Sequence, residues 1–468
     1  MARAMFLRIA CAALGTLALA AAAAFASVSI SAEPLPDPRI PGFRFPESEA
    51  TLTGWITALS RGEPGEAAVA FEKINLHGWG LWTALTAETN QLLAGQKLRV
   101  FETWFTPDDA ANSPAPVPRA RAALRQMRLR GEDVELPEPP EEEMPEAHVL
   151  GFVKFDPTAA AHLAKQELLS IATFNTLLAG GASQVPPFPA ASLVTKPLFQ
   201  IVTAASLVEG RYYALKAWPG PPDTPRAWGP AQWPGSVWID LLGGGSGRGA
   251  IDEAPASDGS SRTDESTYSL ASLIHYRLSA SDAAAVNAAK PDTGARAGDY
   301  AILVAMHATS REIARWTWQT FWWTPTPADP HAPSSVAIAA LRPAQLHGAA
   351  RNYAMSLGYA LLSPDQPYVG GENSGAAVYS YNPWFEAKLT PNELPDSVAG
   401  TAPDGRPAAN SFGVQSNCMS CHARANYNPL KLATAPRFSG ARYVDLIDPQ
   451  FTGTLQVDFL WSLARHAK

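Results

Sequence analysis

Cysteine is nearly absent from this chain, with three among 468 residues. That excludes a disulfide framework and any array of cysteine-bound zinc fingers. Methionine is also scarce, at seven, and none lies beyond Met419. After residue 26 no segment approaches the roughly 20 uninterrupted apolar residues that a membrane-spanning helix needs. No glycine-rich stretch ends in Gly-Lys-Ser/Thr, so the glycines of residues 243–266 do not form a phosphate-binding loop. No hydrolase triad motif or metal-binding histidine pair is present either.

What the chain does have is a hydrophobic share of 46 %, enough to bury a real core, with 14 tryptophans and 42 prolines. The N-terminus, "MARAMFLRIACAALGTLALAAAAAFA", sets Arg3 and Arg8 before an apolar run and closes on Ala24-Phe25-Ala26. This is the anatomy of a secretory signal peptide, with cleavage expected before Ser27 and export to the periplasm. An uncleaved membrane anchor is the competing reading. Removing residues 1–26 takes away Arg3, Arg8 and Cys11. The formal charge of −7 then moves by two to −9, and Cys418 and Cys421 remain. So acidic a surface disfavours nucleic acid and anionic lipid and accepts basic partners.

Along the mature chain, residues 34–48 read as a proline-rich extended arm. Helical spacing runs from Leu52 to Leu93 in two pieces, and "QKLRVFETWFTP" alternates like a strand up to Pro107. Residues 119–130 read as a short basic helix before an acidic loop. The segments "GFVKFDP", "RYYALKAWPG", "GSVWIDLLGG", "YAILVAMHATS" and "RWTWQTFWW" read as strands, and "QVDFLWSLARHA" as a terminal helix. The expected fold class is α+β. A leader (1–26) precedes a β-rich domain with a helical N-terminal part (27–390), followed by a small helix-and-loop region (391–468).

That last region carries Cys418-Met419-Ser420-Cys421-His422. By chance a C-x-x-C-H arises on the order of 10⁻⁴ times in a chain of this composition. A structural zinc site needs four ligands, and no further cysteine is available in the mature chain. A thioredoxin-type dithiol needs a βαβ frame that is not evident here, although a Cys418–Cys421 disulfide is chemically possible. Covalent haem explains more: both thiols can tether one haem c, and His422 is placed to bind its iron as proximal ligand.

The segments "YNPWFEAKL", "QSNCMSCHARA" and "FTGTLQVDFLWSL" resemble the C-terminal part of a family of large exported bacterial monohaem c-type cytochromes. "YYALKAW" and "AILVAMHATSREIARWTWQTFWW" resemble two further blocks, so the likeness covers roughly residues 210–240, 300–325 and 380–463. It implies one covalent haem per chain, a cofactor and not a substrate; the leading expectation for such a haem is electron transfer with an unidentified redox partner protein. One departure is plain: where that family pattern leads to expect Glu-His after Thr320-Phe321, this chain has Trp322 and Trp323.

A sixth iron ligand is not evident downstream of His422, since no methionine follows. His307, at the end of an apolar strand-like run, is the first candidate, with a hydrogen-bonded strand-end histidine as the alternative. His77 is the second candidate, with a satisfied helix-face histidine as the favoured alternative. Met355 reads as core, and Met306, beside His307, would face the other way in a strand. Trp316 and Trp318 would share one strand face. The alternative to an electron carrier is a haem enzyme or ligand-binding protein with an open sixth position, where His307 or Arg311 could assist a bound oxidant. A sensor or scaffold with structural haem is the third reading.

Overall fold

The computed structural model describes residues 30–112, 148–222, 228–387, 417–430 and 443–468. The leader, the basic helix of residues 119–130 and the 390/391 boundary lie outside the described residues. Helices and a multi-stranded antiparallel sheet combine into an α+β fold.

Helix α1 (Glu49–Arg61) begins at Ser48, whose hydroxyl accepts from the Thr51 amide, and stops at Gly62. Helix α2 (Pro64–Leu85) has proline in its first turn, where no amide hydrogen is missed. Its C-terminal half is buried almost all round, with Trp79 and Trp82 at 0 % exposure. Gly78 and Gly80 make this possible: a Cβ at Gly80 would lie 2.0 Å from the Phe43 ring, and one at Gly78 2.7 Å from Leu357.

The helical spacing read through Leu93 overruns. The chain leaves the helix at Leu85 and forms a hairpin, β1 (Glu88–Leu93) with β2 (Gln96–Arg99). Ala94 and Gly95 both have positive φ, the mirror-image turn that matches strand twist, so this local hairpin ends the helix. Only Gln96–Arg99 of "QKLRVFETWFTP" is strand; Val100–Thr103 is a 3-10 turn.

Helix α3 (Pro107–Asn112), strands β3 (Val149–Gly151) and β4 (Lys154–Phe155), and helices α4 (Pro157–Lys165) and α5 (Ile171–Ala179) follow. Asp156 and Ser170 cap the last two. Strand β5 (Leu193–Val202) is central to the main sheet. Strands β6 (Tyr212–Lys216), β7 (Ser236–Asp240) and β8 (Thr267–Ser269) make a separate small sheet, β7 and β8 running parallel. Strand β9 (His275–Arg277) and helix α6 (Ala280–Ala289) lead into the long hairpin of β10 (Tyr300–Ser310) and β11 (Thr317–Trp323). After helix α7 (Val336–Ala340), strand β12 (Tyr353–Gly358) closes the edge. The main sheet runs β12-β11-β10-β5-β3, with β4 on β5 and β9 on β10.

Short strands β13 (Leu362–Ser363) and β14 (Ala376–Ala377) precede helix α8 (Cys418–His422). The small pair β15 (Asn426–Tyr427) and β16 (Leu455–Gln456) and helix α9 (Trp461–His466) complete the described chain. One apolar cluster joins α2 to β10–β12 through Trp82, Phe321 and Met355. A second joins Leu52, Phe155, Trp316 and Trp318 to Met419, Leu455 and Leu463, so the surroundings of α8 are supplied by the whole length of the chain.

Candidate functional site around Cys418, Cys421 and His422

Helix α8 starts where it does because of Asn417, which is fully buried. Its Oδ1 accepts from the Met419 amide at 2.9 Å, the N-cap bond. Its Nδ2 donates to the carbonyls of Ala360 (2.6 Å) and Val378 (2.8 Å). One side chain therefore starts the helix and fastens it to the connections that flank β13 and β14.

Positions i, i+3 and i+4 of a helix share a face. In α8 these are Cys418, Cys421 and His422, all half-buried, whereas Met419, Ser420 and Ala423 are turned inward at 1 %, 0 % and 3 % exposure. The two cysteines are not bonded to each other. Cys418 Sγ donates to the Ser380 carbonyl at 3.3 Å. Burial pushes the Cys418 thiol well above its ordinary range and the Cys421 thiol up to about 11. A redox dithiol needs a thiolate, so these protonated thiols are poorly suited to thioredoxin-type exchange.

His422 is held from two sides. Its Nδ1 donates to the Phe459 carbonyl at 2.6 Å, and its ring lies against Trp318 with centroids 4.2 Å apart. With Nδ1 engaged as donor, Nε2 keeps its lone pair. Burial drives the imidazole down to about 3, so it is neutral at neutral pH, the form that ligates a metal.

His307 lies within electrostatic reach of His422. It is half-buried on β10, opposite Thr320 of β11 and Lys196 of β5. Its Nε2 meets Glu386 Oε1 at 2.9 Å, and its ring stacks on Phe385 at 4.4 Å. Lys196 Nζ lies 4.7 Å from the centre of the same phenyl ring. Burial alone would raise the Glu386 carboxyl, but the interaction with His307, the Asn382 amide and the charge of Lys196 together outweigh it and hold the group below its usual range. Charge at Glu386 is felt by Cys418, Cys421 and His422, and charge at His307 and Lys196 by His422. These groups form one electrostatic neighbourhood.

The other candidates are engaged in the surrounding core and its hydrogen bonds. His77 is buried, with Nδ1 2.7 Å from the Tyr359 hydroxyl and Nε2 3.1 Å from Glu312 Oε1, so both ring nitrogens are occupied. Met306 and Met355 are sealed in the first core. Trp316 precedes β11 with φ +61, so it does not share a strand face with Trp318 as the alternation suggests; both still enter the second core. Trp322 and Trp323 are first-core residues. Arg311 pairs with Asp458 at 3.1 Å.

Sequence reasoning missed Asn417, Lys196, Glu386 and the Phe459 carbonyl. Glu386 sits inside the quoted segment "YNPWFEAKL", but nothing in its spacing marks it; its role comes from the buried Asn382, which donates to Thr320 Oγ1 and the Phe321 carbonyl and so pins that turn to β11. A main-chain carbonyl leaves no trace in side-chain spacing.

Among the described residues no three His, Cys, Asp or Glu side chains converge as a set that could hold a metal ion alone. Two thiols and one neutral imidazole whose Nε2 is unengaged among the described residues, all on one helix face, do fit a haem tethered at two points and ligated at one. Comparison with protein-family models, curated proteins and solved structures finds no match to this chain.

Proposed function

We propose that this chain is an exported, periplasmic monohaem c-type cytochrome that transfers electrons. Cys418 and Cys421 carry the haem through thioether bonds, and His422 binds its iron through Nε2. The observation that carries this reading is the common face of α8 together with the Nδ1 bond of His422 to Phe459. When bound, the haem supplies a one-electron Fe(III)/Fe(II) couple. The protein's part is geometric and electrostatic. Asn417 fixes the start of α8, Trp318 and the Phe459 carbonyl orient the imidazole, and the second core keeps water from the helix's inner face. An acidic surface suits a basic redox partner.

In this reading His307 is the sixth ligand, and it takes that place by giving up Glu386. A second reading rests on that same hydrogen bond. With Nε2 retained by Glu386, His307 leaves the sixth position open, and the pair can hold or release a proton beside a small bound ligand, as in a haem enzyme or ligand-binding protein. The visible spectrum separates the two: low-spin bands in both oxidation states support the carrier, and a high-spin form that binds carbon monoxide rapidly supports the second.

A further inference from the structure

The Phe459 carbonyl reaches His422 from an unusual piece of backbone. Residues 457–460 form a tight turn closed by the Leu460 amide on the Val457 carbonyl at 2.9 Å. Its two central residues have positive φ, Asp458 at 45° and Phe459 at 67°. That is the mirror-image turn normally occupied by Asn-Gly, and a bulky aromatic with positive φ is an outlier. Such strain persists only where surrounding contacts over-determine it.

Those contacts can be named. Asp458 Oδ2 accepts from the Phe188 amide (2.9 Å) and from Arg311 Nε (3.1 Å). Arg311 is fixed in turn, its amide on the Ser192 carbonyl (3.0 Å) and its Nη1 on the Ile313 carbonyl (2.9 Å). On the other flank the Val457 amide donates to the Ala425 carbonyl at 3.1 Å, three residues after His422. The turn is thus clamped between the β10–β11 connection and the chain that leaves α8. A relaxed turn with negative φ would rotate the Phe459 carbonyl away from His422.

We infer that Arg311 and Asp458 are positioning residues for His422: their ion pair holds the strained 457–460 turn, and the turn holds the carbonyl that fixes the Nδ1–H tautomer. That bond also strengthens Nε2 as a donor, because outer hydrogen bonds raise the basicity of a ligating histidine. The consequence for a bound haem rests on the proposed function; the effect on the tautomer does not.

The test uses the full chain with ¹⁵N-labelled histidine, the His422 signal being assigned by its loss in His422→Gln. Without haem, the wild type shows His422 as the Nδ1–H tautomer. Arg311→Met, which keeps the apolar stem, and Asp458→Ala, which removes the carboxylate and disfavours positive φ, shift it towards Nε2–H. Arg311→Lys, which keeps the charge, stays near wild type. In haem-loaded protein the same variants raise the reduced-to-oxidised ratio at a fixed potential at least threefold, and the double variant shifts no further than the larger single one, because both act through one turn. Folded variants with unchanged tautomer and unchanged potential, or single effects that simply add, would overturn the inference. If Arg311→Met fails to fold, Asp458→Ala decides. A chain that never takes up haem would defeat the proposed function, while the tautomer would still decide the role of Arg311 and Asp458.

Discussion

The indole of Trp318 and the imidazole of His422 lie 4.2 Å apart between ring centres, inclined by 41°. Trp318 is 4 % exposed and its Nε1 donates to the Arg315 carbonyl at 3.0 Å, so the indole is a fixed wall for the histidine. The two residues are 104 positions apart, and the hairpin that carries Trp318 packs on α8.

Trp318→Ala should destabilise the chain by about 3–5 kcal/mol, the usual cost of emptying a buried tryptophan site. It should also loosen His422, seen as altered haem bands in the loaded protein. Denaturant unfolding and the visible spectrum check the two effects. A loss of stability with an unchanged spectrum would mean that Trp318 only fills space.

His77 and Glu312 predict the opposite pattern. They are buried at 2 % and 0 % side-chain exposure and form a network with Tyr359. Removing His77 takes one hydrogen bond from Glu312, which keeps those of the Glu47 amide and the Ser310 hydroxyl, and one from Tyr359, which keeps that of Gln319, at a cost of about 1–3 kcal/mol. His77→Ala should therefore lower the unfolding midpoint and leave the haem spectrum as it is. A spectral change would bring His77 back as a ligand.

Glu386 gives an acid-side prediction. Its folded-state pKa is held below the unfolded value by His307, the Asn382 amide and Lys196, against the burial that opposes this. The folded state then binds fewer protons than the unfolded one. Its contribution to stability is present above the usual glutamate pKa and is lost as pH falls through the folded value. Stability profiles of wild type and Glu386→Gln should converge on the acid side and separate above the usual glutamate range. Parallel profiles would show that the carboxylate contributes nothing.

How much was legible beforehand follows from what kind of information each feature holds. The pentad Cys418 to His422 is contiguous, so it could be read directly, and its placement on one helix face follows from i, i+3, i+4 geometry. β10 and β11 were readable as apolar and aromatic runs. β5 was not, because Lys196 and Pro197 interrupt "LVTKPLFQIV", yet its burial shows it central to the sheet. The helix at Leu85 ended early because the Ala94-Gly95 turn favours a hairpin, a local preference that outweighs helical spacing. The site's supporting groups were the least visible. Glu386 meets His307 across 79 positions, and the Phe459 carbonyl meets His422 across 37. Such pairings exist only once the chain has folded.

His307 separates the two readings of the sixth position. In the carrier the protein is low-spin, and His307→Ala should turn it high-spin and open it to carbon monoxide. In the second reading the wild type already binds carbon monoxide, and His307→Ala changes the rate rather than the spin state. A wild type that is low-spin and stays so in His307→Ala would remove His307 from the iron in both.

The most direct test of the account is whether haem is bonded to Cys418 and Cys421. Protein purified from the periplasm of a host able to mature c-type cytochromes should give a c-type pyridine haemochrome spectrum. One haem per chain should survive acid–acetone extraction, on a polypeptide that begins at Ser27. The Cys418→Ser, Cys421→Ser double variant should lose it. Haem that extracts into acetone, or a folded and exported wild type without haem, would contradict the central claim.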